Sequence, residues 1–240
     1  MQHHCPHNQE VSCADCRLSG ICLPLAVASA DIVKLDEIVR RGKPLQKGDT
    51  LYSQQSEFGS VYAVRSGSLK AFCTTSAGEE QVTGFYLPGE ILGVDGIANH
   101  KYASSAIALE TSSVCEIPFD QLGDLSLQLP NLQRYFFKLL SREIADDQKL
   151  LTLLSKNTAD ERVAAFLLSL SARFARRQLS GERFLLPMSR MDIGNFLGLT
   201  IETVSRVFGR FKKNIWIDVE GRAVRIQDID ALKQIAGVQA

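Results

Sequence analysis

The stretch NLQRYFFKLLSREIADDQKLLTLLSK, residues 131–156, decides the fold of this chain. It contains neither proline nor glycine and follows Pro130, so the sequence predicts one helix about 40 Å long at ~1.5 Å per residue. One row of its residues steps alternately by three and four, as the contact positions of a coiled coil do. We call this row the seam: Phe137, Leu140, Ile144, Asp147, Leu151 and Leu154.

A second apolar row lies on another face of this helix and can pack on its own subunit: Leu132, Phe136, Leu139, Leu150 and Leu153. Two apolar stripes predict a helix that serves a core and a partner helix at once. Asp147 places a carboxylate in the seam, and in a symmetric parallel dimer its two copies would face each other. That costs about 1 kcal/mol in water and more when partly desolvated. The sequence therefore predicts a weak dimer that needs a further stabilising event to form. A seam that frays at this point, or an Asp147 that is protonated or solvated, also fits the pattern.

The composition is that of an ordinary soluble protein, with 240 residues, 45% hydrophobic and 22% charged, enough for two small domains. The net charge is zero, which still permits a nucleic-acid binder whose positive charge is local. We expect a cytoplasmic protein without contact to a membrane, because no apolar run approaches ~18 residues and residues 1–10 lack a signal-peptide core. Six cysteines in that compartment favour metal or redox chemistry over disulfides.

Three of these cysteines, Cys13, Cys16 and Cys22, have the spacing C-x2-C-x5-C. Three thiolates on one short loop can reach a single centre, and thiolates suit Zn²⁺, Cu⁺ or an iron–sulfur cluster. The spacing alone does not separate zinc from iron–sulfur. The candidates for a fourth ligand are the remaining cysteines: Cys5, Cys73 and Cys115.

Residues 45–118 consist of short β-like runs separated by glycines and polar turns, after a short helix predicted over residues 29–41. Many short strands at this spacing predict a small antiparallel barrel or sandwich. Cys115 lies in the last of these strands, directly before the long helix. A ligand there would tie the N-terminal loop to the base of that helix.

The C-terminal third predicts a winged helix-turn-helix. A helix over residues 189–197, a turn at Gly198 and a helix over residues 200–213 form the motif. One face of the second helix is apolar and is expected to dock on the domain: Val204, Val207, Phe208 and Phe211. A hairpin over residues 215–226, turning at Gly221, predicts the wing.

The second helix also carries a polar face near its N-terminus, made by Glu202, Ser205 and Arg206. These are the positions from which a recognition helix reaches base edges. Arginine can grip guanine with two hydrogen bonds and glutamate can accept from cytosine. Further basic residues follow and are predicted DNA contacts: Arg210, Lys212 and Lys213. A solvated helix face is the alternative interpretation of this element alone.

The assembled parts resemble the cyclic-AMP receptor protein superfamily and, within it, the oxygen-sensing FNR/ANR-type regulators, from Cys13 to about Gly237. Besides the cysteine spacing, the resemblance rests on LETSSVCEIPF (109–119), DIGNFLGL (192–199) and ETVSR (202–206). It implies an α+β fold. An N-terminal β-roll sensor domain (a cupin-like jelly roll) precedes a long dimerisation helix and a C-terminal winged helix-turn-helix. The implied boundaries are 1–28 for the cluster-ligating segment, 29–128, 129–157 and 158–240.

The resemblance also implies site residues. In that family four cysteines hold an oxygen-labile [4Fe–4S] cluster, and they match Cys13, Cys16, Cys22 and Cys115. The family's base readers, which recognise palindromes of TTGAT half-sites, match Glu202, Ser205 and Arg206. The seam aspartate that keeps the cluster-free protein monomeric in air matches Asp147, and its dimer-supporting neighbour matches Ile144. Surfaces that contact RNA polymerase match Ser66 and Gly78.

Two departures from the family accompany these matches. Arg17 follows the second cysteine where a serine is familiar, so oxygen lability need not match that of the family. Lys101–Ile107 has no arginine to grip a cyclic-nucleotide phosphate, so we expect no cyclic nucleotide in the roll.

We therefore predict an oxygen-responsive, DNA-binding activator and repressor, not an enzyme, that dimerises when its cluster is bound. Two alternatives remain. One is a regulator with structural zinc at the cysteines that senses a small molecule in the roll. The other is an iron–sulfur redox enzyme with an incidental helix-turn-helix, which the lack of any cofactor motif in the sequence disfavours.

Overall fold

The computed structural model describes residues 11–237, so Cys5 lies outside the described part. The chain divides into two compact units, residues 1–143 and 144–240, and the division falls inside the long helix. No helix among the described residues is long and apolar enough to cross a membrane.

The first unit is built on two four-stranded antiparallel sheets, which confirms the predicted β-roll. Its strands are β1 Arg40–Arg41, β2 Thr50–Tyr52, β3 Ser60–Ser66, β4 Leu69–Thr74, β5 Glu80–Tyr86, β6 Ile91–Leu92, β7 Ser105–Ala108 and β8 Ser113–Pro118. The strand orders are β1-β8-β3-β6 and β2-β7-β4-β5. β4 and β5 form a hairpin within one sheet, whereas all other consecutive strands lie in different sheets, and apolar side chains from both sheets meet in the interior.

The helix predicted over residues 29–41 is shorter than expected. A single 3₁₀ turn at Ser29–Asp31 leads into α1, Ile32–Ile38, and the chain then becomes extended at Val39. Arg40 and Arg41, the end of the predicted helix, form β1 instead, and Arg41 pairs with Cys115 of β8. A helix that the sequence did not predict, α2 Phe119–Gln128, follows β8.

The long helix is confirmed as α3, Pro130–Lys156. Proline is well tolerated in the first helical turn, where its missing N–H has no partner to lose. The second apolar row behaves as predicted at its start, because Leu132 and Phe136 are buried in the core of the first unit. The seam is mostly open: Phe137, Ile144 and Leu151 are 61%, 60% and 67% exposed. Leu140 departs from the prediction of a pure partner-facing row, since it packs partly on the same core.

The second unit is a winged helix-turn-helix, as predicted. Its elements are α4 Ala159–Ala175, β9 Arg183–Leu185, α5 Arg190–Leu197, α6 Ile201–Lys213, β10 Ile217–Glu220, β11 Ala223–Ile226 and α7 Ile229–Ile235. Side-chain caps begin the helices: Thr158 and Glu161 form a capping box for α4, and Ser189 and Asp192 form one for α5. The strands form a sheet in the order β10-β11-β9.

Arg162 on α4 joins two helix ends within this unit. Its guanidinium donates to the carbonyl oxygens of Leu154 at 2.7 Å, Asn157 at 3.0 Å and Leu197 at 3.0 Å. The first two carbonyls close α3 and the third closes α5. A cation at helix C-termini also interacts favourably with the helix dipoles.

Candidate metal centre and nucleic-acid interface

One cavity in the first unit is lined by the four cysteines implied as ligands. Cys13, Cys16 and Cys22 come from the N-terminal loop, and Cys115 comes from β8. The loop turns tightly, with the amide of Cys22 donating to the Leu18 carbonyl at 2.9 Å. Two distant stretches of sequence thereby bring four thiols together.

Two leucines anchor the loop on the roll. Leu18 is 8% exposed and Leu23 is 2% exposed, and both line the cavity beside the thiols. Arg17, the departure noted in the sequence, points to the exposed side of the loop and is not among the lining residues. Its expected influence on the cavity is therefore not supported by a direct contact.

Burial favours the neutral thiol at three of the four cysteines, Cys13, Cys22 and Cys115. Burial raises the pKa of Cys22 to about 12. Burial, followed by a hydrogen bond with Asp36, raises the pKa of Cys13 well above its usual range. Burial also raises the pKa of Cys115, although the guanidinium groups of Arg41 and Arg65 partly oppose that shift. Metal ligation requires thiolates, so binding a metal here would release protons.

Two arginines and an aspartate surround these thiols, and sequence reasoning missed all three. Arg41 forms an ion pair with Asp36, and its Nη2 lies 3.5 Å from the Cys13 Sγ. Asp36 also accepts the amide of Cys13 at 2.7 Å. Arg65, only 8% exposed, lines the cavity from β3. The available signal was Arg65 itself, a charged residue that directly continues the apolar run of β3.

The cysteine loop touches the long helix. The Tyr135 hydroxyl of α3 donates to the Ile21 carbonyl at 3.4 Å. Leu23, from the loop, shares one apolar core with Leu132 and Phe136 of α3, and Cys22 and Cys115 pack against it. The arrangement of the thiols is therefore mechanically connected to the start of α3.

Among the described residues, no three His, Cys, Asp or Glu side chains lie close enough to hold a single metal ion. Cys73 is separate from the site, since it lies on β4 in the other sheet and its Sγ contacts the Ala103 carbonyl at 3.5 Å.

The predicted base readers share the exposed face of α6. Glu202, Ser205 and Arg206 are all exposed, while the opposite face, including Val204 and Phe208, is buried. A hydrogen bond to its own helix-start amide, followed by one with Thr200, lowers the pKa of the Glu202 carboxyl. This face can therefore offer a carboxylate acceptor, a hydroxyl and a guanidinium to a groove.

The three basic residues that follow differ from one another. Arg210 is paired with Asp160 of α4. Lys212 donates to the Val219 carbonyl at 3.0 Å and lies 3.4 Å from Asp218, both on the wing. Two of the predicted DNA contacts, Arg210 and Lys212, thus already have intramolecular partners. Lys213 is exposed and has no partner among the described residues.

Arg190, at the start of α5, was not predicted as a functional residue. Its guanidinium lies over the Phe208 ring at 3.6 Å from the centroid. Desolvation lowers its pKa. The contact fixes a cation at the N-terminus of the first helix of the helix-turn-helix.

The two predicted polymerase contacts also differ. Ser66 is 4% exposed at the end of β3, where it pairs with Ser113 of β8, and its contact with polymerase stays a prediction. Gly78 is exposed in the β4–β5 hairpin with φ +81°, a left-handed conformation that favours glycine.

The interior of the roll is packed with aromatic rings. Tyr52 and Tyr102 stack with centroids 4.0 Å apart, and Tyr62 lies 5.7 Å from Tyr52. The Tyr102 hydroxyl donates to the Ser60 carbonyl at 2.8 Å. These tyrosines belong to an apolar core formed between the two sheets.

Comparison with known proteins agrees with this architecture. A cyclic nucleotide-binding domain model matches residues 43–128, and a Crp-like helix-turn-helix domain model matches residues 161–235. The transcriptional activator protein anr of Pseudomonas aeruginosa is 56% identical over 230 residues, covering 96% of this chain and 94% of that protein. The fumarate and nitrate reduction regulatory protein of Escherichia coli is 48% identical over 227 residues, covering 95% and 91%. The solved structure of FixK2 from Bradyrhizobium japonicum aligns with a TM-score of 0.77 at 26% identity, covering 85% of this chain and 100% of that one.

Proposed function

Because this chain belongs to the FNR/Anr family of CRP-type transcription regulators, we propose that it is an oxygen-responsive regulator switched by a [4Fe–4S] cluster. The observation that carries the proposal is the convergence of four cysteines from two separate segments on one cavity against the start of α3. Cys13, Cys16, Cys22 and Cys115 would hold the cluster. When bound, it would supply an oxygen-labile link between the N-terminal loop and β8.

Thiolates ligate both zinc and iron–sulfur clusters, so the four cysteines that line the cavity suit either group. The choice of a cluster rests on the membership of this chain in the FNR/Anr family. Anaerobic reconstitution separates it from the structural-zinc alternative. The stacked tyrosines in the roll disfavour a cyclic nucleotide there.

We propose that pinning the loop to β8 favours pairing of the exposed seam between two copies of α3. Loop and helix share a core through Leu23, Leu132 and Phe136, so ordering the loop also orders the helix start. The stabilisation supplied by the pinned loop would offset the repulsion that arises between two Asp147 carboxylates when the helices pair. A dimer can place two α6 helices about 34 Å apart, one turn of DNA, as a palindrome of TTGAT half-sites requires.

Glu202, Ser205 and Arg206 would then read base edges, while Lys213 and Arg190 would contact phosphates.

Gly78 would lie on a surface for RNA polymerase, and the protein would both activate and repress. For Gly78 we expect a charged substitution to reduce transcription activation without changing DNA affinity. A parallel loss of both would indicate a folding defect.

The experiment that tests the proposal is anaerobic reconstitution with iron and sulfide. We expect visible charge-transfer absorption that bleaches in air, together with loss of dimers and of binding to a palindromic site. A protein that binds one zinc ion, stays colourless and keeps its DNA affinity in air would overturn the proposal and support the zinc alternative.

A further inference from the structure

We propose that Arg41 is a positioning residue of the cysteine centre, with a guanidinium that donates hydrogen bonds to sulfur. The inference deepens the proposed function and rests on it. Arg41 contacts Cys13 and is not itself among the residues that line the cavity, so its Nη2 would hold Cys13 and its buried Nε–H would donate to a sulfur atom of the bound group.

The first support is the network that fixes Arg41. Its Nη2 lies 3.5 Å from the Cys13 Sγ and also pairs with Asp36. Asp36 in turn accepts the Cys13 amide at 2.7 Å, so one carboxylate aligns both the arginine and the cysteine. Because Asp36 is itself fixed by the Cys13 amide, its ion pair leaves the Arg41 guanidinium little freedom to turn away.

The second support is an orphaned donor. Among the described residues, the Nε of Arg41 is the one buried side-chain nitrogen or oxygen without a hydrogen-bond partner. Leaving a buried donor unsatisfied is costly, so such a group calls for a missing acceptor. Sulfur atoms of a ligated cluster are acceptors, and hydrogen bonds to them tune such centres.

The third support is the position of Arg41 in the sheet. Strand β8 lies between β1 and β3, and Cys115 pairs with Arg41 on one side and with Ala63 on the other. Arg65 lies two residues beyond Ala63 and lines the same cavity. Cys115 is therefore flanked by cations on both neighbouring strands, which suits a centre that gathers four thiolate charges.

Arginine is required in this role because of its shape. Its planar fork can donate to Asp36 and to sulfur at the same time, and it stays protonated when partly buried. Lysine offers a point charge without the Nε donor. Arg41→Lys should therefore keep the charge and lose the geometry.

The test compares Arg41→Gln and Arg41→Lys with the matched control Arg40→Gln. Arg40 is the sequence neighbour on the same strand, its side chain is 61% exposed, and it lies 4.0 Å from Glu116. Each protein is reconstituted anaerobically. We then measure the iron and sulfide bound per chain, the Fe–S stretching frequencies by resonance Raman spectroscopy, and the rate of bleaching in air. Thermal unfolding of the cluster-free proteins reports on the fold.

We expect Arg41→Gln to shift the Fe–S frequencies and to bleach faster by roughly ten-fold, as loss of one charge-assisted hydrogen bond predicts. Arg41→Lys should be intermediate, and Arg40→Gln should match the parent. Identical spectra and bleaching rates for all variants would overturn the inference while leaving the cluster assignment intact. A parent protein that takes up no iron and sulfide would overturn both. If Arg41→Gln does not fold, Arg41→Lys still decides, because a folded lysine variant with parental spectra contradicts the need for the fork.

Discussion

Replacing Asp147 by alanine should make the cluster-free protein dimerise in air. The carboxylate lies in a seam whose apolar members Ile144 and Leu151 are 60% and 67% exposed in the single chain, ready for a partner helix. Two carboxylates about 4 Å apart repel by about 1 kcal/mol in water and about 4 kcal/mol at an effective dielectric constant of 20. Because exposed side chains can splay apart, we expect a gain of about 1–2 kcal/mol per dimer, or roughly ten-fold in the dimerisation constant.

The assay is sedimentation equilibrium of aerobic, metal-free protein, with Asp146→Ala as the matched control. Asp146 carries the same charge one residue away, but it is outside the seam and its carboxylate pairs with Lys149 at 3.2 Å. The control should remain as monomeric as the parent. An Asp147→Ala protein that is no more dimeric than the parent would refute the account of the seam. The Asp147 carboxylate would then be solvated in the dimer and would not oppose dimerisation.

The same carboxylate predicts a pH dependence. Burial, followed by the neighbouring Asp146, already raises the pKa of Asp147 in the single chain. A second Asp147 across the seam would raise it further, so the dimer binds more protons than two monomers do. Dimerisation of the parent should therefore strengthen as the pH falls toward the raised pKa and weaken above it. Asp147→Ala should lose this dependence between neutral pH and about pH 5.

Three further variants test the other parts of the proposal. Ile144→Ala should weaken the anaerobic dimer by about 1 kcal/mol or more, measured by sedimentation, because it removes apolar contact from the seam. Arg206→Ala should cost about 1–3 kcal/mol on the palindrome, mainly at the half-site guanine, whereas Lys213→Ala should weaken binding to every sequence and flatten the salt dependence. Cys115→Ser should abolish cluster uptake and anaerobic DNA binding, while Cys73→Ser should leave both unchanged; the reverse result would exclude β8 from the centre.

The sequence predicted the elements with strong periodicity or strong end signals. The long helix, the two helices of the helix-turn-helix and the wing all lie where their apolar spacing and caps placed them. The capping residue Thr158 and the left-handed turn at Gly198 are local features, so neighbouring residues alone decide them. Such elements need no information about the rest of the chain.

The errors came from contacts between distant residues. Arg41 was predicted as the last residue of a helix, but its pairing with Cys115 places it in a strand. The surroundings of the thiols escaped prediction for the same reason, because sequence spacing carries no information on which side chains a sheet brings together.

Arg162 gives the joint between α3 and the helix-turn-helix a definite stiffness. A twist of the last turn of α3 must carry α5 with it or break hydrogen bonds from one guanidinium to Leu154, Asn157 and Leu197. Each such charge-assisted bond contributes roughly 1.5–3 kcal/mol. A rotation of the last turn of α3 should therefore be transmitted directly to α5, because the three hydrogen bonds of Arg162 allow little independent movement of the two helix ends.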